Sequence, residues 1–199
     1  MGARRLHVVH IQCLGILLLT GCAMPTIYES PAGNFEVSLP ELGAGMRWQE
    51  ALNENGGSVS FHSDFGQIKS IVYMKLPLTA PETLGDPGKR AAAIRGFLHD
   101  FAMPVLFEPV SPETKILFER LVGPPDDSEY LAVVEIPEGS TLMDMRTGKR
   151  LDSTRALLIF PDGGYMYMLT QSATRDEIKN PSQVAFEDFR AAIRFHGQD

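Results

Sequence analysis

Two apolar segments near the end of the chain constrain its fold most strongly. Residues 154–160 and 165–171 are mostly apolar, and Pro161-Asp162-Gly163-Gly164 joins them. A connection rich in proline and glycine between two β-forming runs is typical of a hairpin turn. A strand that is apolar on both faces must be covered on both sides. We therefore predict that these two strands pair at the centre of a β-sheet.

Further strands are predicted earlier in the chain, before this hairpin. They are residues 34–39, 59–61, 67–76, 115–122 and 130–136, with residues 139–146 as another candidate before a turn at 147–149. The first alternates cleanly, because Phe35, Val37 and Leu39 face one way and Glu36 and Ser38 the other. A turn at residues 63–66 would join 59–61 and 67–76 into a second hairpin.

Two amphipathic helices are predicted between and after these strands. The first begins at Asp86 as N-cap with Pro87 in the first turn, and Pro104 should end it. Its apolar stripe is Ala91, Ile94, Phe97, Leu98 and Phe101. The second begins at Asn180-Pro181. Its predicted buried face is Ala185, Phe186, Phe189, Ala192 and Ile193.

This order of elements predicts a single α+β domain with an antiparallel sheet of about six to seven strands and two helices packed on it. The layout resembles the PsbP-like fold, which is found in a photosystem subunit and in several bacterial lipoproteins. The residues that carry the resemblance are Phe35-Glu36-Val37-Ser38-Leu39-Pro40, Tyr165-Met166-Tyr167-Met168-Leu169-Thr170 and Phe186-Glu187-Asp188-Phe189. The resemblance implies a binding or assembly role rather than an enzyme activity.

The N-terminus has the organisation of a secretory signal. Arg4 and Arg5 supply positive charge, an apolar run follows from residue 6 to 19, and small residues precede Cys22. The apolar run is shorter than the about 20 residues of a comfortable transmembrane helix. Leu19-Thr20-Gly21-Cys22 resembles the lipobox of bacterial lipoproteins at all four positions.

The lipobox resemblance implies a specific modification and location. The Cys22 thiol would carry a diacylglycerol, the signal would be cut after Gly21, and the new amine would be acylated. The chain then divides into a signal peptide (1–21), a lipidated tether (22–33) and the α+β domain (34–199). Ala23 follows the cysteine in place of the aspartate that favours inner-membrane retention. We therefore expect an outer-membrane anchor facing the periplasm if the host is Gram-negative.

The net charge and the cysteine content limit which partners this protein can bind and which chemistry it can perform. The formal net charge is −7, and removal of residues 1–21 makes the chain two units more negative. Such a charge disfavours binding to nucleic acid. Cys13 and Cys22 are the two cysteines of the chain. The first lies in the signal and the second would be lipidated, so we expect no disulfide, thiol nucleophile or cysteine-ligated metal in the mature protein.

Candidate catalytic and metal-binding residues lack the spacing that specific chemistry needs. His62, His99 and His196 do not form a metal-ligand pair along the chain, so we expect no metal and no cofactor. Acidic residues at 126, 127 and 129 fit a solvated turn better than a calcium loop. Trp48 fits a packed anchor better than a ligand-stacking side chain.

These observations predict a lipid-anchored cell-envelope lipoprotein with a non-catalytic binding or assembly role. Its expected partners are the membrane, through Cys22, and an envelope protein of unknown identity. Two alternatives stay open. One is a tethered hydrolase with a site assembled from scattered Asp, Glu, Ser and His side chains. The other is a carrier of a small ligand or lipid in the cleft between helix and sheet.

Overall fold

The computed structural model describes residues 26–43, 46–62, 68–78, 80, 84–137, 154–173 and 179–196. The described strands are, in chain order, β1 (Ile27–Glu29), β2 (Phe35–Ser38), β3 (Arg47–Asn53), β4 (Gly56–His62), β5 (Ile68–Lys75), β6 (Lys115–Val122), β7 (Glu129–Glu135), β8 (Thr154–Asp162), β9 (Tyr165–Ser172) and β10 (Ile193–Phe195). The described helices are α1 (Leu39–Leu42), α2 (Pro87–Gly96), a π-helix (Phe97–Phe107), α3 (Glu187–Ala191) and two 3₁₀ turns (Pro125–Asp127 and Pro181–Gln183).

The larger of the two described sheets has seven antiparallel strands in the order β3-β4-β5-β9-β8-β7-β6. This is the predicted α+β architecture. The predicted central hairpin is confirmed, because β9 and β8 occupy the fourth and fifth places and most of their side chains are buried. The turn is shorter than predicted. Pro161 and Asp162 still belong to β8, and only Gly163 and Gly164, with φ of 49° and 79°, make the turn. Positive φ at both central residues is what a tight hairpin turn with the right twist requires.

A small sheet of described strands, ordered β1-β2-β10, covers one face of the main sheet. The residues of the predicted tether that the structure describes are folded, since Tyr28 in β1 is buried against Phe35 and Phe61. Aromatic pairs of this kind stabilise packing by about 0.5–1.5 kcal/mol beyond the area that they bury. The ordered domain therefore begins before residue 34.

The opposite face carries one long helix, formed by α2 and the π-helix together (residues 87–107). Asp86 caps it as predicted, accepting a hydrogen bond from the backbone N–H of Lys89 at 2.9 Å. The prediction that Pro104 ends the helix is wrong, because the π-helix runs through it to Phe107. The wider π winding moves the carbonyl of Asp100 away from where an α-helix would press it against the proline ring.

The prediction of one continuous second helix from Asn180 is also wrong, because the helix in this segment is much shorter. The segment after Asn180 is a 3₁₀ turn, an extended stretch, the short helix α3 and then β10. Phe186, Phe189, Ala192 and Ile193 are buried as predicted, whereas Ala185, which was predicted to share this face, is exposed. Ile193 pairs with Val37 of β2, so an available strand edge competes with continued helix. Residues 63–66, 139–146 and 147–149, predicted as turn, strand and turn, lie outside the described residues.

Candidate binding groove

The long helix is too narrow to cover its face of the main sheet. Seven strands spaced about 4.8 Å apart make a sheet roughly 30 Å wide, whereas a helix with its side chains is about 10–12 Å across. The helix lies over β7, β8 and β9, where its buried residues Ile94, Leu98 and Ala102 pack against the sheet. Two grooves therefore flank it, one toward β6 and one toward the β3–β4–β5 side.

The groove toward β6 has a volume of about 580 Å³ and is spanned by polar contacts. Arg95 Nε donates to the hydroxyl of Tyr130 at 3.1 Å. His99 Nε2 lies 2.8 Å from Glu119 Oε2, and Arg95 lies 4.0 Å from the other oxygen of that carboxylate. These groups hydrogen-bond one another and hold the helix on the sheet. We therefore interpret this groove as a structural contact, with exposed Leu121 at its rim.

The groove on the other side, which we call the hairpin groove, lies between the π-helix and the β3–β4 hairpin. Its apolar section has a volume of about 570 Å³ and ends at the β3–β4 turn, residues 54–55. Val72 and Met74 of β5 form its floor, and Phe101 and Leu106 of the π-helix form its wall. All four side chains are half-buried, so the groove presents apolar surface to solvent.

The polar section of the hairpin groove continues along the same sheet face, with a volume of about 350 Å³. Its lining shares Ser58, Val72 and Leu106 with the apolar section, so the two sections are continuous. Strand alternation sets its chemistry, because β4 places every second residue on this face. Its polar side chains are Gln49, Ser58, Ser60, His62, Ser70, Arg155 and Thr170.

Hydrogen bonds in the polar section run between neighbouring strands. Ser60 Oγ and Ser70 Oγ lie 2.9 Å apart across the β4–β5 pair. Arg155 Nη1 donates to Ser172 Oγ at 3.0 Å across β8 and β9. A row of hydroxyl groups can both donate and accept hydrogen bonds, and apolar side chains, among them Ile68, Phe107 and Met168, make up the rest of this lining.

His62 marks the end of the polar section. Its Nε2 is buried and has no hydrogen-bond partner among the described residues. Burial lowers the pKa of the imidazole, and the nearby charge of Arg155 lowers it further. A buried polar atom without a partner costs free energy. A ligand that offers His62 an oxygen would remove that cost.

The three histidines weighed as candidate metal ligands, His62, His99 and His196, lie in different parts of the fold. Cys22, the predicted lipidation site, lies outside the described residues, as do the rest of the lipobox and the signal peptide. His99 contacts Glu119 in the structural groove, and His196 follows β10, where its backbone N–H donates to the carbonyl of Asn34. In the part of the chain that is described, no three His, Cys, Asp or Glu side chains are placed to hold a metal ion.

The acidic turn and Trp48 have structural contacts. Asp127 pairs with Arg90 at 3.2 Å, and Glu129 pairs with Arg190. Trp48 lies on edge strand β3 rather than under a loop, with its ring edge-to-face at 5.8 Å from Tyr28. It is 37% exposed and packs on the small sheet side, away from the hairpin groove.

The sequence left open a ligand cleft between helix and sheet, but it predicted none of the residues that line the hairpin groove. The signal lay in residues 56–62, where glycine and serine alternate with Val59 and Phe61. That alternation predicts a half-buried strand, but does not reveal that the polar face lies in a groove walled by a helix.

No described helix is long and apolar enough to cross a membrane.

Comparison with solved structures finds a similar fold. Cyanobacterial PsbP (CyanoP) from Synechocystis sp. aligns with a TM-score of 0.50 and 12% identity, over 88% of this chain and 96% of that one. A protein from Bacteroides thetaiotaomicron gives 0.39 and 10%, over 87% of this chain and 49% of its own. The Saccharomyces cerevisiae Ran-binding protein Mog1p gives 0.45 and 6%, over 86% and 95%. No family model and no curated protein matches the sequence. The predicted PsbP-like resemblance is thus confirmed at the level of the fold.

Proposed function

We propose that this chain is a lipid-anchored protein of the cell envelope that acts by binding, with the hairpin groove as its binding site. The observation that carries the proposal is the groove itself. Its two continuous sections fall within the roughly 300–1,000 Å³ of typical ligand sites. It is lined by half-buried apolar side chains and by an imidazole nitrogen without a described partner.

The anchoring part of the proposal rests on Leu19-Thr20-Gly21-Cys22. Each buried methylene contributes about 0.8 kcal/mol, so two or three acyl chains on Cys22 hold a protein on a membrane durably. The anchor would keep the groove close to the membrane surface, since few residues separate Cys22 from β1.

Metabolic labelling with a clickable fatty-acid analogue tests the anchor. We expect label on the wild type and none on Cys22→Ala. Cys13→Ala is the matched control, because Cys13 lies in the predicted signal and should leave labelling unchanged. Equal labelling of wild type and Cys22→Ala would exclude the anchor.

Site-specific photo-crosslinking in intact envelopes tests the binding site. A photoreactive residue at Gln49, which is exposed at the mouth of the groove, should give discrete adducts. The same residue at exposed Asn180, outside the groove lining, serves as the control. Indistinguishable adducts at the two positions would contradict the assignment of the groove.

A further inference from the structure

The first described strand, β1, lies beside one edge of the main sheet. The ring of Tyr28 contacts the ring of Trp48 on edge strand β3, with the ring centroids 5.8 Å apart. The Tyr28 hydroxyl also donates to Glu50 Oε2 on the same strand at 2.9 Å. The chain that leads from Cys22 therefore enters the domain at the β3 edge.

Apolar side chains are exposed along this edge. Ile27 of β1 is 48% exposed, and Trp48 and Leu52, which share one face of β3, are 37% and 52% exposed. Leu52 lines a cavity of about 250 Å³ together with Pro31 and Ala32, two exposed residues of the turn after β1. We call the surface formed by these five residues the β1–β3 edge.

The segment between Cys22 and the domain is too short to let the domain move far from a membrane. Ile27 is the fifth residue after Cys22. A fully extended chain advances at most about 3.6 Å per residue, so a lipid on Cys22 would hold Ile27 within about 18 Å of the membrane surface. This limit decides which surfaces of the domain can touch lipid.

Two other surfaces are out of reach. β6 is the opposite edge strand of the main sheet, so a membrane at that edge would lie roughly 29 Å from β3, at about 4.8 Å for each strand spacing. A membrane under the long helix would lie about 25 Å from β1, because the main sheet and the helix stand between them. Both distances exceed the reach of the segment.

The outer face of the small sheet is within reach but is charged. Strand alternation buries Val37 and Ile193 and places Glu36 and Arg194 on the outer face, where their side chains form an ion pair of 3.5 Å. Contact with lipid would remove water from both charges, which costs free energy. The β1–β3 edge, by contrast, lies next to the segment and exposes large apolar side chains.

Trp48 and the carboxylates around it indicate the kind of lipid surface. Tryptophan is enriched where membrane meets water, because its ring is apolar and its N–H can stay hydrated. Glu29, Glu50 and Glu54 are exposed near the apolar side chains and outnumber Arg47, the cation of β3. An anionic lipid surface would repel these carboxylates, whereas the ammonium groups of zwitterionic lipids would attract them.

A second copy of the chain fits this edge less well. An antiparallel β3–β3 pair that sets Trp48 opposite Leu52 also sets the two copies of Glu50 opposite each other. Like charges directly opposite each other destabilise a strand pair.

We propose that the β1–β3 edge rests on a zwitterionic lipid surface, with Ile27, Trp48 and Leu52 among the headgroups. This inference rests on the lipid anchor of the proposed function and adds the orientation of the domain. The side chains need not bind a membrane alone, because the anchor keeps them at a high effective concentration beside it.

Quenching of tryptophan fluorescence by brominated lipids tests the contact. Trp48 is the single tryptophan of the chain, so its emission reports this edge alone. The full chain, expressed with its signal, is reconstituted into phosphatidylcholine vesicles with bromine near the headgroup end or near the methyl end of the acyl chains. We expect a loss of emission that is larger with the shallow bromine. Stronger quenching when phosphatidylglycerol replaces part of the phosphatidylcholine would overturn the zwitterionic surface.

Matched variants separate this edge from the rest of the domain. Ile27→Glu combined with Leu52→Glu should restore the Trp48 emission, whereas Leu117→Glu, at an exposed position of β6, should leave the quenching unchanged. In the Trp48→Phe background, Leu117→Trp moves the fluorophore to the opposite edge, where no quenching is expected. Equal quenching of tryptophan at positions 48 and 117 would refute the orientation.

Flotation of the same vesicles distinguishes failure of this contact from failure of the anchor. A chain that floats while Trp48 stays unquenched overturns the membrane contact and leaves the anchor standing. If quenching then appears when the chain is diluted in the bilayer, the edge belongs to a contact with a second copy. A chain that does not float overturns the anchor and the orientation together.

Discussion

The hydroxyl group of Tyr167 connects the centre of the main sheet to the small sheet. It donates to the carbonyl oxygen of Asn34 at 3.3 Å and accepts from Asn34 Nδ2 at 3.0 Å. Both residues are buried, and Asn34 Oδ1 also accepts a hydrogen bond from Ser30 Oγ at 2.6 Å. The turn between β1 and β2 is therefore tied to β9 by one phenol group.

Replacement of Tyr167 by phenylalanine keeps the ring contacts and removes this connection. The variant leaves Asn34 Nδ2 buried without its partner, which costs about 1–3 kcal/mol of the free energy of unfolding. Urea unfolding followed through the fluorescence of Trp48 measures this loss, because Trp48 is the single tryptophan and its ring contacts Tyr28 of the small sheet. The midpoint should fall while the slope stays constant.

Tyr165→Phe is the matched control for this change. It removes a phenol hydroxyl from the same strand, and no hydrogen bond of that hydroxyl to a described residue is present. A change within about 0.5 kcal/mol is expected. If Tyr167→Phe costs no more than Tyr165→Phe, the phenol of Tyr167 does not tie the two sheets together. A double-mutant cycle with Asn34→Ala should show a coupling energy of about 0.5–3 kcal/mol.

Three other predictions concern the N-cap of the long helix, the pairing of β4 with β5 and the buried phenol of Tyr167. Asp86→Ala should lower the free energy of unfolding by about 0.5–2 kcal/mol in urea titrations, since the backbone N–H of Lys89 loses its acceptor. A full-stability variant would exclude the cap. Gly56→Ala should destabilise the β4–β5 pair in hydrogen-exchange measurements, because the added methyl would lie 2.1 Å from the backbone oxygen of Tyr73; unchanged exchange in β4 would contradict that crowding. Burial raises the pKa of Tyr167 above its ordinary value of 10.0, so the unfolded chain releases this proton first and stability should decline as pH rises above about 10. Tyr167→Phe should make that decline shallower, and an unchanged pH slope would argue against it.

The sequence alone determined the elements whose neighbours lie close along the chain. The hairpin of β8 and β9 is apolar on both faces, so its central place followed from the need to cover both sides. The limits of β6 and the Asp86 cap were likewise predictable, because alternation and capping depend on adjacent residues. These features gave the α+β class and its antiparallel sheet.

Only the tertiary structure decided the features that depend on distant partners. Ile193 became part of a strand because β2, more than 150 residues earlier, offered an unpaired edge. The helix continued through Pro104 because π winding accommodates the ring and packing on the sheet holds the segment in place. The hairpin groove exists because one helix cannot cover seven strands, and that mismatch in width is a property of the assembled layers that no local stretch of sequence contains.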